Sequence, residues 1–98
     1  MSSRPLHPDV ALAIRLSAIM SRNRYTRDPA PVIDELKLTA GDRTDLLAAE
    51  AGRWAGYYGD EHTAALADAL LEIPGAREHV ADGARRRGMQ WNGNQPGD

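Results

Sequence analysis

Apolar residues recur along this chain every three or four positions, and glycine and proline break the pattern at intervals. The longest such run is DRTDLLAAEAGRWAGYY, from Asp42 to Tyr58. Leu47, Ala51, Trp54 and Tyr58 fall on one helical stripe, and Leu46, Glu50, Arg53 and Tyr57 on the adjoining one. Asp42 is placed to cap the helix, with Thr39 as an alternative, and Asp45 puts a negative charge in its first turn. Gly59 supplies the left-handed residue that ends it. Gly52 and Gly56 share a face. A glycine inside a helix costs about 0.5–1 kcal/mol relative to alanine, so this pair predicts that a second helix approaches closely or that the second half of the helix is locally weak. Glu50 and Arg53 exclude the membrane-helix reading of the same spacing.

Four weaker segments surround this helix. Val10, Leu12, Ile14 and Leu16 alternate as in a strand. Ala11, Ala13 and Ala18, and the continuation through Ile19 and Met20, favour a helix from Asp9 to about Arg22, with Pro8 in its first turn. Its inward stripe is Leu12, Leu16, Ile19 and Met20. NRYTRDPAP, residues 23–31, is a connector. A short helix follows, from Pro29 or Ala30 to Leu36 or Lys37, capped by Asp28, with Val32, Ile33 and Leu36 inward. After Gly59, Asp60 caps a fourth helix with Glu61 in its first turn; Leu66, Leu70 and Ile73 form its stripe, and Pro74-Gly75 ends it. The fifth, from Ala76 to about Arg87, is marked only by Val80, Ala81 and Ala84, and Gly88 should stop it. The expected fold is all-α, a compact single domain of four to five helices around a central helix at about 42–58. Residues 1–7 form a flexible N-terminus, 8–88 the helical domain, and 89–98 an irregular tail. Short connections imply mostly antiparallel neighbours.

Composition narrows the setting. With 98 residues and no phenylalanine, the chain can build one core from aliphatic residues and its 16 alanines, the best helix formers. It has no cysteine, which removes disulfides and thiolate metal sites. No apolar run approaches the roughly 18 residues that span a bilayer, and MSSRPLHPDV lacks the apolar core of a secretory signal. A cytoplasmic protein with no membrane partner is expected. Eleven of the 12 basic residues are arginine, the coding bias of a GC-rich genome such as that of an actinobacterium or one of its phages.

Candidate chemistry is thin. His7, His62 and His79 are far apart, and none pairs with glutamate at the helical zinc spacing. Glu50 could act as an acid or base if buried, but Arg53 beside it suggests an ion pair. Ser17 and Ser21 lack a nucleophile elbow, and the glycine-rich stretches match no phosphate-binding loop. No catalytic residue, cofactor or metal is assigned, and the chain is expected not to be an enzyme.

Binding is better supported. The net charge of −2 is uneven: residues 1–27 carry +4, residues 28–75 carry −7 and residues 76–98 carry +1. Trp54, Tyr57 and Tyr58, with Asp60 and Glu61 just beyond, are the expected contact residues for another protein or a second copy of this chain. The leading expectation is a small non-enzymatic interaction module, such as an accessory or phage-encoded modulator of a host protein. The alternative is a nucleic-acid-binding regulator. It would use Arg22, Arg24, Tyr25 and Arg27 with Arg85, Arg86 and Arg87, provided the two groups meet in space. The acidic balance of the chain weighs against it.

Overall fold

The computed structural model describes residues 7–58 and 63–93, with side chains as far as Arg87. The fold is all-α. Among the described residues there are five α-helices: α1 (Pro8–Arg22), α2 (Ala30–Ala40), α3 (Thr44–Tyr58), α4 (Ala64–Leu71) and α5 (Val80–Gly93). A 3-10 turn, Ala76–His79, leads into α5. The helix α3 touches every other element and is the centre of the packing.

Local signals explain most helix ends, and several differ from the sequence reading. His7 caps α1: its Nδ1 accepts the Asp9 backbone N–H at 3.1 Å, and Pro8 follows in the first turn. Asp28 does not cap α2. Pro29 holds the N-cap position with no side-chain cap, and the Thr26 hydroxyl exchanges hydrogen bonds with the Asp28 backbone just before the helix. The helix α2 runs to Ala40, beyond Lys37, because Leu38 and Thr39 contain no breaker; Gly41, at φ 61°, ends it. That extension absorbs Thr39 and leaves Asp42 in the turn, so neither caps α3, which starts at Thr44. Gly75, at φ 88°, turns the chain after α4. The tail expected from residue 89 is helical as far as Gly93, since Gly88 remains inside α5. A glycine that keeps helical dihedrals weakens a helix without ending it. Gly59, Asp60, Glu61 and His62 lie outside the described residues, as does the Trp91 side chain.

The core joins Leu16, Ile19 and Met20 of α1 to Val32 and Leu36 of α2, Leu47, Ala51 and Trp54 of α3, and Leu66 and Leu70 of α4. Leu16, Met20, Leu36, Leu66 and Leu70 are completely buried, each contributing about 1.5–3 kcal/mol of transfer free energy.

The helix directions are a departure from the sequence reading. Asp9 meets Arg43 at the start of α1 and α3, and Ser21 meets Trp54 towards their ends. Gly52 lies against Ala76 and His79, Gly56 against Val80 and Ala84, and Tyr57 against Arg87. Contacts advance together along each pair, so α1, α3 and α5 run parallel. The chain returns through α2 and α4. Consecutive helices do reverse, but the helix that packs most closely on α3 is α5, which is not consecutive with it; α1 and α4 touch α3 equally. The seam between α3 and α5 is glycine on both sides: Gly56 of α3 faces the α5 backbone, and Gly83 of α5 faces the Arg53 carbonyl. Backbones can approach this closely only where no Cβ intervenes.

Candidate functional site

The C-terminal end of α3 gathers most of the residues that the sequence marks for binding. Tyr57 and Tyr58 are both half-buried, their rings 4.6 Å apart and inclined at 59°. Adjacent helical positions diverge by about 100°, so neither ring can follow the other into the core. Tyr58 also packs on Trp54 one turn earlier, at 5.1 Å. Trp54 itself is 4% exposed. It was expected at a contact surface and is instead a core residue, because its stripe is the one turned towards α1. Its indole N–H donates to the Ser21 hydroxyl at 3.3 Å. Buried indoles normally find such a partner.

One arginine of each group reaches this end of α3. The Arg24 guanidinium lies over both the Tyr58 ring, at 5.1 Å, and the Tyr25 ring, at 5.7 Å. From the other side, Arg87 donates to the Tyr57 carbonyl at 3.4 Å. The last carbonyls of a helix have no partner within it. Arg87 takes one of them in α3, and the Thr63 hydroxyl takes the next, at Tyr58, at 2.5 Å. Because α5 continues to Gly93, Arg85–Arg87 are not in its last turn, and the dipole that Arg87 meets is that of α3.

The other members of the two groups are partly engaged. Arg22 pairs with Glu35 at 3.1 Å, while Arg27 and Tyr25 are exposed. Asp82 accepts from Arg85 at 2.6 Å and lies 3.4 Å from Arg86 and 3.8 Å from Arg53. The Arg85 hydrogen bond holds the Asp82 carboxyl below its ordinary range, despite an opposing contribution from burial. Arg53 also donates to Glu50 at 2.7 Å. Glu50 is therefore in a structural ion pair, and neither cleft that it lines includes a histidine.

Two clefts open between these helices. One, of about 210 Å3, is lined by Ser17, Glu50, Arg53, Tyr57, Gly83 and Arg86, with the edges of Trp54 and Tyr58. A shallower one, of about 510 Å3, runs along α1 past Val10, Ala13, Ile14, Ser17, Ala18 and Ser21 to Glu50. Val10 and Ile14, part of the alternating pattern in the sequence, are exposed there. That alternation was the available signal for a second apolar face on α1. Among the described residues, no three histidine, aspartate or glutamate side chains could share a metal ion. No helix among them is long and apolar enough to cross a membrane.

No family model, no curated protein and no solved structure matches this chain.

Proposed function

We propose that this chain is a small non-enzymatic helical module that docks on another protein through the C-terminal end of α3. The observation that carries this reading is that Arg24 lies on the ring of Tyr58, which packs on Tyr57, while Arg87 holds the Tyr57 carbonyl at the same helix end. Tyrosine and arginine are the residue types that dominate binding hot spots. Here their side chains are already ordered by one another, which lowers the entropy lost on association. Trp54 supports the patch from beneath. Asp60 and Glu61 belong to the same expected surface by their place in the sequence and lie outside the described residues. A non-enzymatic role fits a Glu50 engaged by Arg53. A cytoplasmic accessory or phage-encoded modulator of a host protein fits the size and composition.

The same arrangement favours a second reading, a nucleic-acid-binding regulator. Phosphate would have to compete with Asp82 for Arg85 and Arg86, and with Glu35 for Arg22.

Two measurements separate the readings. Affinity capture from cell extract is compared between the wild type and Tyr57→Ala and Arg24→Ala variants. Fluorescence anisotropy of labelled duplex DNA is titrated at low salt and at about fourfold higher salt. A protein captured by the wild type and lost from both variants, with no DNA binding, supports docking. DNA binding that collapses with salt, and weakens when Arg85–Arg87 are neutralised, replaces it with the nucleic-acid reading.

A further inference from the structure

The helix α1 is apolar on two sides. Its inward stripe of Leu16, Ile19 and Met20, with Leu12 packed beside it, is occupied by the core. Val10 and Ile14 lie off that stripe and are 47% and 53% exposed. On an ordinary surface helix that side is polar. These two residues line the shallow cleft along α1, and at Ser17 and Glu50 that cleft passes into the smaller one reaching Tyr57 and Arg86. The two form one trough, aliphatic near the start of α1 and aromatic and cationic at the far end. At that far end Arg53, Arg85 and Arg86 share the carboxylates of Glu50 and Asp82, and Arg24 lies over the Tyr58 ring.

We infer that this trough receives an acidic amphipathic helix of another protein, its apolar side chains on Val10 and Ile14 and its carboxylates at Arg86. This rests on the protein-docking reading above and names its ligand class. Three features of the trough select that occupant. Among the described residues, guanidinium groups outnumber carboxylates at one end, which favours acidic side chains. The aliphatic end gives a nucleic acid nothing to bind, because phosphate and sugar gain little from buried isoleucine and valine. The walls are helices, whose backbone groups bond internally, so an extended peptide would find no strand edge to pair with. Val10 to Ser21 spans about 16 Å at 1.5 Å per residue, about three helical turns, which accommodates anchors spaced three and four residues apart.

The test is selection of a displayed random library, with peptides of roughly 15 residues or about four turns, on the immobilised full-length protein. The same selection is run on Ile14→Glu, Arg86→Glu and Leu38→Glu variants. Leu38 is 84% exposed and lines neither cleft, so it serves as the control. All three positions are exposed, and circular dichroism verifies that the variants fold. The expected peptides carry apolar residues at helical spacing together with glutamate or aspartate. A synthesised, labelled representative should bind at least about tenfold more weakly to Ile14→Glu and to Arg86→Glu, and unchanged to Leu38→Glu. Enriched peptides that are basic or extended, or that tolerate Ile14→Glu, overturn the inference and leave protein docking standing. So does a dimer in sedimentation that Ile14→Glu dissociates, which would assign the trough to a second copy. If no peptide is enriched while DNA binds and is lost on Arg86→Glu but not on Ile14→Glu, both the inference and the docking reading fail. No enrichment without DNA binding also overturns the inference.

Discussion

Replacing Gly56 with alanine sets helix propensity against packing, and the two have opposite signs. On an open helix the change would stabilise by about 0.5–1 kcal/mol. In this protein the new Cβ would lie 2.9 Å from the Val80 carbonyl carbon and 3.0 Å from the Ala84 nitrogen, and nearer still to the Val80 carbonyl oxygen. Carbon atoms in good contact are about 3.5–4.0 Å apart. Every one of these neighbours is backbone, so no side-chain rotation relieves the clash. The helix α5 must move by about an ångström, and Gly83, set against the Arg53 carbonyl, ties the same seam from the other side. Overpacking costs about 1–3 kcal/mol, and rigid neighbours place this case at the upper end. After subtracting the propensity gain, the net loss should be about 2 kcal/mol. At roughly 4–8 °C per kcal/mol for a domain of this size, Tm should fall by about 8–16 °C. Thermal melts followed by circular dichroism, and urea unfolding followed by the fluorescence of buried Trp54, measure it directly. Gly56→Val should be worse than Gly56→Ala. Gly41 provides the contrast: nothing lies within 4 Å of a Cβ there, so any loss in Gly41→Ala comes from its φ of 61° and not from a clash. A Gly56→Ala protein as stable as the wild type would refute the tight α3–α5 seam.

Other expectations follow from the same geometry. Trp54→Ala should lower stability by about 3–5 kcal/mol in urea unfolding, since the indole is 4% exposed and a cavity would remain. Ile14→Glu, at an exposed position, should stay within about 0.5 kcal/mol of the wild type in the same assay, so any binding defect it causes is not a folding defect. The Arg43 hydrogen bond holds the Asp9 carboxyl below its ordinary value of 3.8, and Arg43 with the Leu46 backbone does the same for Asp45. A carboxyl whose folded pKa is depressed stabilises the fold above its unfolded pKa, and that contribution is lost as pH falls through the folded value. Stability should therefore decline on acidification below about pH 4. The decline should be shallower in Arg43→Met, read from unfolding midpoints across a pH series.

The helices themselves were legible in the sequence, because their signals are local. Three- and four-residue spacing picked out Leu16, Ile19 and Met20, Leu47, Ala51 and Trp54, and Leu66, Leu70 and Ile73, and all of these are buried. The proline-glycine break at residues 74 and 75 was equally plain. Helix ends were less so. Asp28 and Asp42 are good caps by residue type, but capping depends on where the chain enters the helix: Pro29 holds the N-cap position of α2, and the longer α2 leaves Asp42 in the turn before α3. The glycines of α3 announced a close neighbour without naming it.

Only the tertiary structure decided which faces meet. An apolar stripe specifies that a face is buried, and carries no information about its partner or that partner's direction. The parallel course of α1, α3 and α5 therefore had no signature in spacing. That course brings Arg24 to Tyr58 and Arg87 to the Tyr57 carbonyl, two arginine groups more than 60 residues apart in the chain. The same packing leaves Val10 and Ile14 at the surface. Periodicity along the chain determined the helices. Distances through space, which sequence separation does not constrain, determined the candidate site.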